Sequence, residues 1–168
     1  MGKERIDEIK NPELAVNRAK AIYEKKGYPK SWVDKRMRGI AVRNTLTDTW
    51  KERGAKGGNE FAILTDEIYK GTFEVSAQEY KKHKSLHREH NLRDHMDDVE
   101  LILTMLGEVT TTRISESKDS QGFVELEIDA KTGGKIAGTT RKEIEKETKK
   151  KVVTKKNFLN QKSTQKLT

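Results

Sequence analysis

The chain has 168 residues, 32% of them apolar and 37% charged, and its mean hydropathy is −0.93. This suits an amphipathic helical assembly with a modest core, as one domain or a small domain plus a tail. The lack of cysteine excludes disulfides, thiol chemistry and thiolate metal sites, and no apolar run approaches the roughly 18 residues that span a bilayer.

Asn11-Pro12 is a helix start, since Asn accepts from first-turn amides and Pro fits the first helical position. Leu14, Ala15, Ala19, Ile22 and Tyr23 follow at helical spacing as far as Gly27. Ser31 with Asp34 resembles a weak capping box before an apolar stripe of Val33, Met37, Ile40, Ala41, Leu46 and Trp50 that reaches Gly54. One helix, or two broken near Asn44, would both satisfy that stripe. Ala55-Lys56-Gly57-Gly58 reads as a joint, and Asn59 as the cap of a short helix carrying Phe61, Leu64, Thr65 and Ile68 and stopping at Gly71. Ser76 with Glu79 is a capping box for a helix toward Lys84, followed by a polar, histidine-containing connection.

The strongest helix signal comes next, with Asp97 and Asp98 ahead of Val99, Ile102, Leu103, Leu106 and Val109. From Asp119 two readings stand. Phe123, Leu126 and Ala130 suit a helix, whereas Val124, Leu126 and Ile128 alternate with acids as in a half-buried strand. Gly133, Gly134 and Gly138 weaken a helix through them by about 1 kcal/mol each. A short helix over 141–146 with Ile144 inward, then an extended Lys151-Val152-Val153, precede a polar end without a period. The expected architecture is mainly α: a linker over 1–10, a multi-helix domain over 11–150, and a basic, partly disordered tail over 151–168.

Three stretches carry a resemblance: Arg43-Asn44-Thr45-Leu46-Thr47-Asp48 with Trp50-Lys51-Glu52-Arg53-Gly54; Glu60-Phe61-Ala62-Ile63-Leu64-Thr65; and Asn91-Leu92-Arg93-Asp94-His95-Met96 with the helix after it. In this order they resemble the C-terminal region of Bro-N phage antirepressor proteins and of the damage-inducible protein D family. Gly133-Gly134-Lys135-Ile136-Ala137-Gly138 and Arg141-Lys142-Glu143-Ile144 extend the likeness, which covers roughly residues 4 to 153. The resemblance favours helix over strand after Asp119, and it implies prophage regulation or a DNA-damage response. It supplies no catalytic residues. Ile6-Asp7-Glu8-Ile9 reads as the junction after the missing Bro-N domain, so a truncated relative, a split gene or an excised piece is expected, and DNA recognition by Bro-N does not transfer.

The four histidines, His83, His87, His90 and His95, fall within 13 residues. On one long helix His83, His87 and His90 would share a face with zinc-ligand spacing, but the lack of cysteine, the dense neighbouring Lys and Arg and a break near Asn91 favour a solvated Lys-rich connector. Arg93, Asp94 and His95 suit local hydrogen bonds and capping before the long helix, or contact with a partner. Residues 61–84 can be drawn as a helix-turn-helix whose second helix offers Gln78, Tyr80, Lys81 and Lys82, although Phe73 and Val75 serve as well in a core. Gly133-Gly134-Lys135 fails the phosphate-loop pattern, because Ile136 stands where Ser or Thr is required. Close helix packing or a hinge explains those glycines better. Arg36, Arg38 and Arg43 read as solvated faces of amphipathic helices or as phosphate contacts. Trp32, Trp50, Phe61 and Met105 belong to the core or to a contact surface, and Trp50 joins Arg93, Asp94 and His95 as a candidate structural or partner-contact residue.

The net charge of +8 is uneven. Residues 131–168 carry 12 bases against Glu143, Glu145 and Glu147, a net of +9, so residues 1–130 carry −1. Salt-sensitive attraction of this end to nucleic acid is expected physically, through Arg141, Lys142, Lys149, Lys150, Lys151, Lys155 and Lys156. No nucleophile, base and orienting group stand at useful spacings, so the expectation is a non-enzymatic, cytoplasmic module with no metal or cofactor and no membrane partner. It would act by protein contact or oligomerisation. The resemblance points to a repressor, a Bro-N-containing chain or a recombination protein as partner, with non-specific DNA and a homo-oligomer left open. The alternative is a nucleic-acid-binding module using the basic end.

Overall fold

The computed structural model describes residues 2–159 as seven α-helices and one 3-10 turn, with no strand among them. The helices are α1 (Gly2–Lys10), α2 (Pro12–Lys25), α3 (Lys30–Glu52), α4 (Gly57–Phe73), α5 (Ala77–His83), α6 (Asp98–Lys118) and α7 (Phe123–Thr148), and the 3-10 turn is Leu92–His95. The mainly α expectation holds. The expected tail disorder over 160–168, with Lys162 and Lys166, lies outside the described residues.

Local chemistry sets most helix starts. Asn11 accepts from the Glu13 amide at 3.2 Å, with Pro12 in the first helical position. Ser76 with Glu79 opens α5, and Asp97 with Glu100 opens α6, each as a complete capping box. Two expected starts are displaced. Helix α3 begins at Lys30 behind Pro29 without a side-chain cap, so Ser31 and Asp34 are already helical. Helix α4 begins at Gly57 rather than after Asn59, because the Glu60 carboxylate reaches back to the Lys56 amide.

Four long helices form the body. Helix α4 returns antiparallel to α3, with Phe61 against Trp50 and Thr65 accepting from Arg43 at 2.8 Å. Helix α6 lies parallel to α3, joined by Lys35–Asp98 and by Gly39 against Met105. Helix α7 is antiparallel to α6, with Ser115 donating to Asp129 at 2.8 Å and Gly107 facing Ala137. It also runs alongside α4 from Ile68 and Gly134 to Thr72 and Arg141.

The glycines explain why α4 and α7 do not stop where their propensities suggest. A Cβ on Gly71 would lie 2.6 Å from the Gly134 carbonyl carbon, and one on Gly138 would lie 2.1 Å from the Gly71 oxygen. Helix α4 therefore continues past Gly71 to Phe73, and α7 is one 26-residue helix rather than a first segment and a short second one. Helix α3 is likewise continuous through Asn44.

Two apolar clusters are buried. One holds Tyr28, Trp32, Tyr69, Phe73, Tyr80 and Met96; the other holds Leu46, Trp50, Leu64, Ile68, Leu126 and Ala130. Trp32 and Trp50 are thus core residues of different clusters. After Asp119 the helical period wins: Leu126 and Ala130 are buried, while Val124 and Ile128 face solvent.

Both chain ends differ from expectation where they are described. The expected linker is helical, and α1 is tied to α2 by Glu8–Arg18 at 2.9 Å. Residues 151–159, expected as disordered, form a strap packed on the body: Val152 is buried and Phe158 contacts Tyr28 and Trp32. Its inward side chains supply the apolar area and hydrogen bonds that a polar, aperiodic sequence does not advertise.

Gly71→Ala is expected to destabilise by about 1–3 kcal/mol or more through overpacking, and Gly58→Ala, where a Cβ meets nothing within 4 Å, to be neutral or slightly stabilising. Urea midpoints of the two variants check this; equal midpoints would show that the close approach is not rigid.

Candidate interaction site

The 3-10 turn before α6 distributes three side chains over long distances rather than bonding locally. Asn91 caps it, accepting from the Arg93 amide at 3.0 Å. Arg93 pairs with buried Glu108 in α6, which Arg43 also reaches at 3.5 Å, and its guanidinium lies 5.8 Å from the Tyr69 ring centre. Asp94 accepts from Tyr23 Oη and Arg36 Nε, both at 2.9 Å, and its carbonyl accepts from Tyr28 Oη at 2.8 Å. His95 Nδ1 accepts from the Phe158 amide at 2.9 Å, and its ring stacks on Phe158. The cap of α6 is Asp97, so the local capping role expected of these residues is corrected. Arg36 and Arg43, read as solvated or phosphate-binding, are instead internal ion-pair partners.

Burial shifts the groups here. It depresses the His95 pKa below the ordinary 6.5, against an opposing pull from Asp94. It also lowers the Arg43 pKa, and Glu108 offsets this only in part. Burial and the neighbouring Asp94 raise Tyr28.

A second network has no counterpart among the expected sites. Lys84, wholly buried, reaches Glu100 Oε2 at 3.0 Å, Thr154 Oγ1 at 3.0 Å and the Lys156 carbonyl at 2.9 Å. Glu100, equally buried, also accepts from Tyr80 Oη and Thr154 Oγ1. Burial and Glu100 together hold the Tyr80 phenol far above its ordinary pKa. Asn157 closes the arrangement by donating to the Lys84 carbonyl at 2.7 Å. The capping-box spacing could single out Glu100 as a cap partner; nothing in a run of lysines and histidines distinguishes Lys84 as the buried one.

The remaining candidates separate by burial. Trp50 is fully buried beneath Arg43, whose guanidinium lies 5.3 Å from its ring, so it is a core residue and not a surface contact. Helix α5 stops at His83, which removes the single helix that would have aligned three histidines, and the described residues contain no metal-ligating cluster. His90 Nδ1 accepts from the His87 amide at 2.9 Å. Tyr80, placed by its spacing on a recognition face, points into the core, while Gln78 and Lys82 are exposed.

Arg141 is also buried. It donates to the Thr72 carbonyl and pairs with Glu145 and Glu74, so it leaves the set of surface bases. Lys142 is exposed and lies 3.5 Å from Glu74. Lys149, Lys150, Lys151, Lys155 and Lys156 are all exposed. Lys142, Lys146 and Lys149–Lys151 line one shallow groove with Glu145 at the end of α7.

A different groove runs between α3 and α6. It is lined by the apolar Ala41, Val42 and Val109, by Thr45 and Thr112, and by the charged Arg38, Arg113 and Glu116. Ile102 and Val109, on the outer face of α6, are 48% and 45% exposed. No ion pair among the described residues occupies Arg38 or Arg113.

The family described as the DinD C-terminal domain matches residues 33–157, from the first turn of α3 into the strap. Comparison with curated proteins and with solved structures gives no match. No helix among the described residues is long and apolar enough to cross a membrane.

Lys84→Met leaves Glu100 buried without its cation and is expected to destabilise by about 3–5 kcal/mol; adding Glu100→Gln should restore part of the loss in the same urea titration. The neutral His95 ring is the form that accepts from Phe158. Its contribution is complete above the unfolded pKa of 6.5 and declines as the pH falls from there through the lower folded value. Melting temperature should therefore drop more steeply from pH 7 to 5.5 in the native chain than in His95→Gln, and equal slopes would remove His95 from that dependence.

Proposed function

The chain belongs to the DinD C-terminal domain family, and from that membership we propose that it is a non-enzymatic, cytoplasmic module of the DNA-damage response that works by binding another protein. The α3–α6 groove carries this reading. Apolar side chains flanked by two unpaired arginines and one carboxylate, Glu116, suit an amphipathic helix with mainly acidic residues beside its apolar face, the helix-in-groove mode of recognition. The polar chemistry elsewhere in the body supports the same reading, because Arg93, Asp94, His95, Lys84 and Arg141 each serve internal structure. The likeness to antirepressors favours a repressor or a recombination protein as the bound partner, and self-association through the same face is the competing occupant.

A photo-crosslinker at Ala41 in the intact protein, activated in cells after DNA damage, should trap a discrete second protein. Val109→Asp should abolish that product without shifting the melting temperature, and a crosslinker at exposed Val124 should not form it. A product consisting of two copies of this chain would replace the proposal with oligomerisation. Trapping unaffected by Val109→Asp would remove the groove from the reading.

A further inference from the structure

We infer that the end of α7 and the strap after it form a preformed track for the phosphate backbone of duplex DNA, separate from the α3–α6 groove and independent of what that groove binds. Between residues 141 and 156 the sequence holds eight bases and three acids, and the structure sorts them. Arg141 is matched by Glu145, which also lines the lysine groove but has both oxygens engaged, the second accepting from the Val152 amide at 2.9 Å. Lys142 is held near Glu74 at 3.5 Å. Among the described residues no carboxylate pairs with Lys146, Lys149, Lys150, Lys151, Lys155 or Lys156.

The geometry makes this a track rather than a diffuse cloud. Lys142, Lys146 and Lys149 recur at i, i+4 and i+7, so they share one face of α7, while Glu143 and Glu147 lie about 100° round the helix from Lys142 and Lys146. Lys142 and Lys149 are about 10 Å apart along the axis at 1.5 Å per residue, a span that covers about three phosphates of one strand only when projected on the duplex axis, at about 3.4 Å each. The chain then turns at Lys149, which adopts a left-handed φ of 58°, and presents Lys150 and Lys151 beside the same groove. Beyond it, Lys155 and Lys156 stay exposed because Thr154, Asn157 and the Lys156 carbonyl are bonded inward to Glu100 and Lys84.

Stabilisation of the α7 dipole does not account for this cluster. A helix C-terminus carries about half a negative charge, and its influence falls off within the last turn. Of the six unpaired lysines, Lys146 lies in that turn and Lys149 caps it, whereas Lys155 and Lys156 lie well past the helix end. The ligand chemistry follows from the donors: point-charge ammonium groups without base-reading side chains suit sequence-independent phosphate contact. Duplex DNA fits this donor set because it presents about one negative charge per 1.7 Å of its axis in a regular backbone.

The test is fluorescence anisotropy of a short fluorescein-labelled duplex with the full chain across a salt series. Replacing Lys146, Lys149, Lys150 and Lys151 together by Gln should flatten the slope of log K against log salt by up to about 3–4, at about 0.9 for each phosphate no longer neutralised. Replacing exposed Lys3, Lys10, Lys25 and Lys30 by Gln removes the same charge and should change the slope by much less. Val109→Asp should leave DNA binding unchanged, which keeps this result separate from that of the protein groove. Equal losses in the two quadruple variants would overturn the track and leave only net charge. Polyglutamate competing as well as unlabelled duplex at equal charge would overturn DNA as the ligand in favour of an acidic protein. Binding of phosphatidylglycerol vesicles that needs these lysines, with duplex binding that does not, would overturn it in favour of a lipid surface.

Discussion

The backbone-to-backbone approach of α4 and α7 at Gly71, Gly134 and Gly138 is the constraint on which the rest of the body depends. With no side chains between the two helices, their axes come close, and α6 is admitted against the same seam through Gly107 and Gly133. Thr111 and Thr72 line it, Thr111 returning its hydroxyl to the Gly107 carbonyl at 2.7 Å. The bulky side chains are displaced to either end, which is why two apolar clusters form, one around Trp50 and one around Trp32 and Tyr80. Glycine lowers helix propensity at each position, and close packing of three helices offsets that loss.

The seam leaves little apolar volume at the centre, and buried charge fills part of the gap. Glu100, Glu108 and Asp129 are each almost wholly buried, and each joins elements distant in sequence: Glu100 links α6 to Lys84 after α5 and to the strap, Glu108 links α6 to α3 and the 3-10 turn, and Asp129 links α7 to α6. A buried ion pair adds little net stability relative to an apolar replacement, whereas losing one partner is costly. Such pairs therefore fix which helices meet more than how strongly they hold. A chain with 32% apolar residues can form a defined interior this way, because some of its 37% charged residues face inward.

What the sequence made legible follows the same division. Helix starts were readable at Asn11, Ser76 and Asp97 because capping is local chemistry within three residues. The stripe from Val33 to Trp50 identified α3, and the failed phosphate-loop pattern correctly left the glycines to helix packing. Helix lengths were not readable at Gly71 or Gly138, since the neighbour that makes glycine necessary lies more than 60 residues away in sequence. Lys84, Arg141 and Tyr80 illustrate the harder failure. The two bases resemble their exposed neighbours in type, Tyr80 sits at a spacing that also suits an exposed face, and only the folded arrangement decides which is buried. Arg93, Asp94 and His95 bond to partners in α2, α3, α6 and the strap that are beyond any local pattern.

The strap brings these threads together. Its inward groups, Val152, Thr154 Oγ1, the Lys156 carbonyl and the Phe158 amide, meet the apolar cluster, Glu100, Lys84 and His95 in turn, while the ammonium groups between them face solvent. An unstructured basic tail would lose backbone freedom on meeting a polyanion, about 1–2 kcal/mol for each residue fixed. A strap already fixed by Lys84 and Glu100 has lost that freedom during folding, so its lysines are held in place before any ligand arrives. Internal and external charge thus serve one another: the buried cation anchors the segment, and the anchored segment sets the positions of the exposed ones.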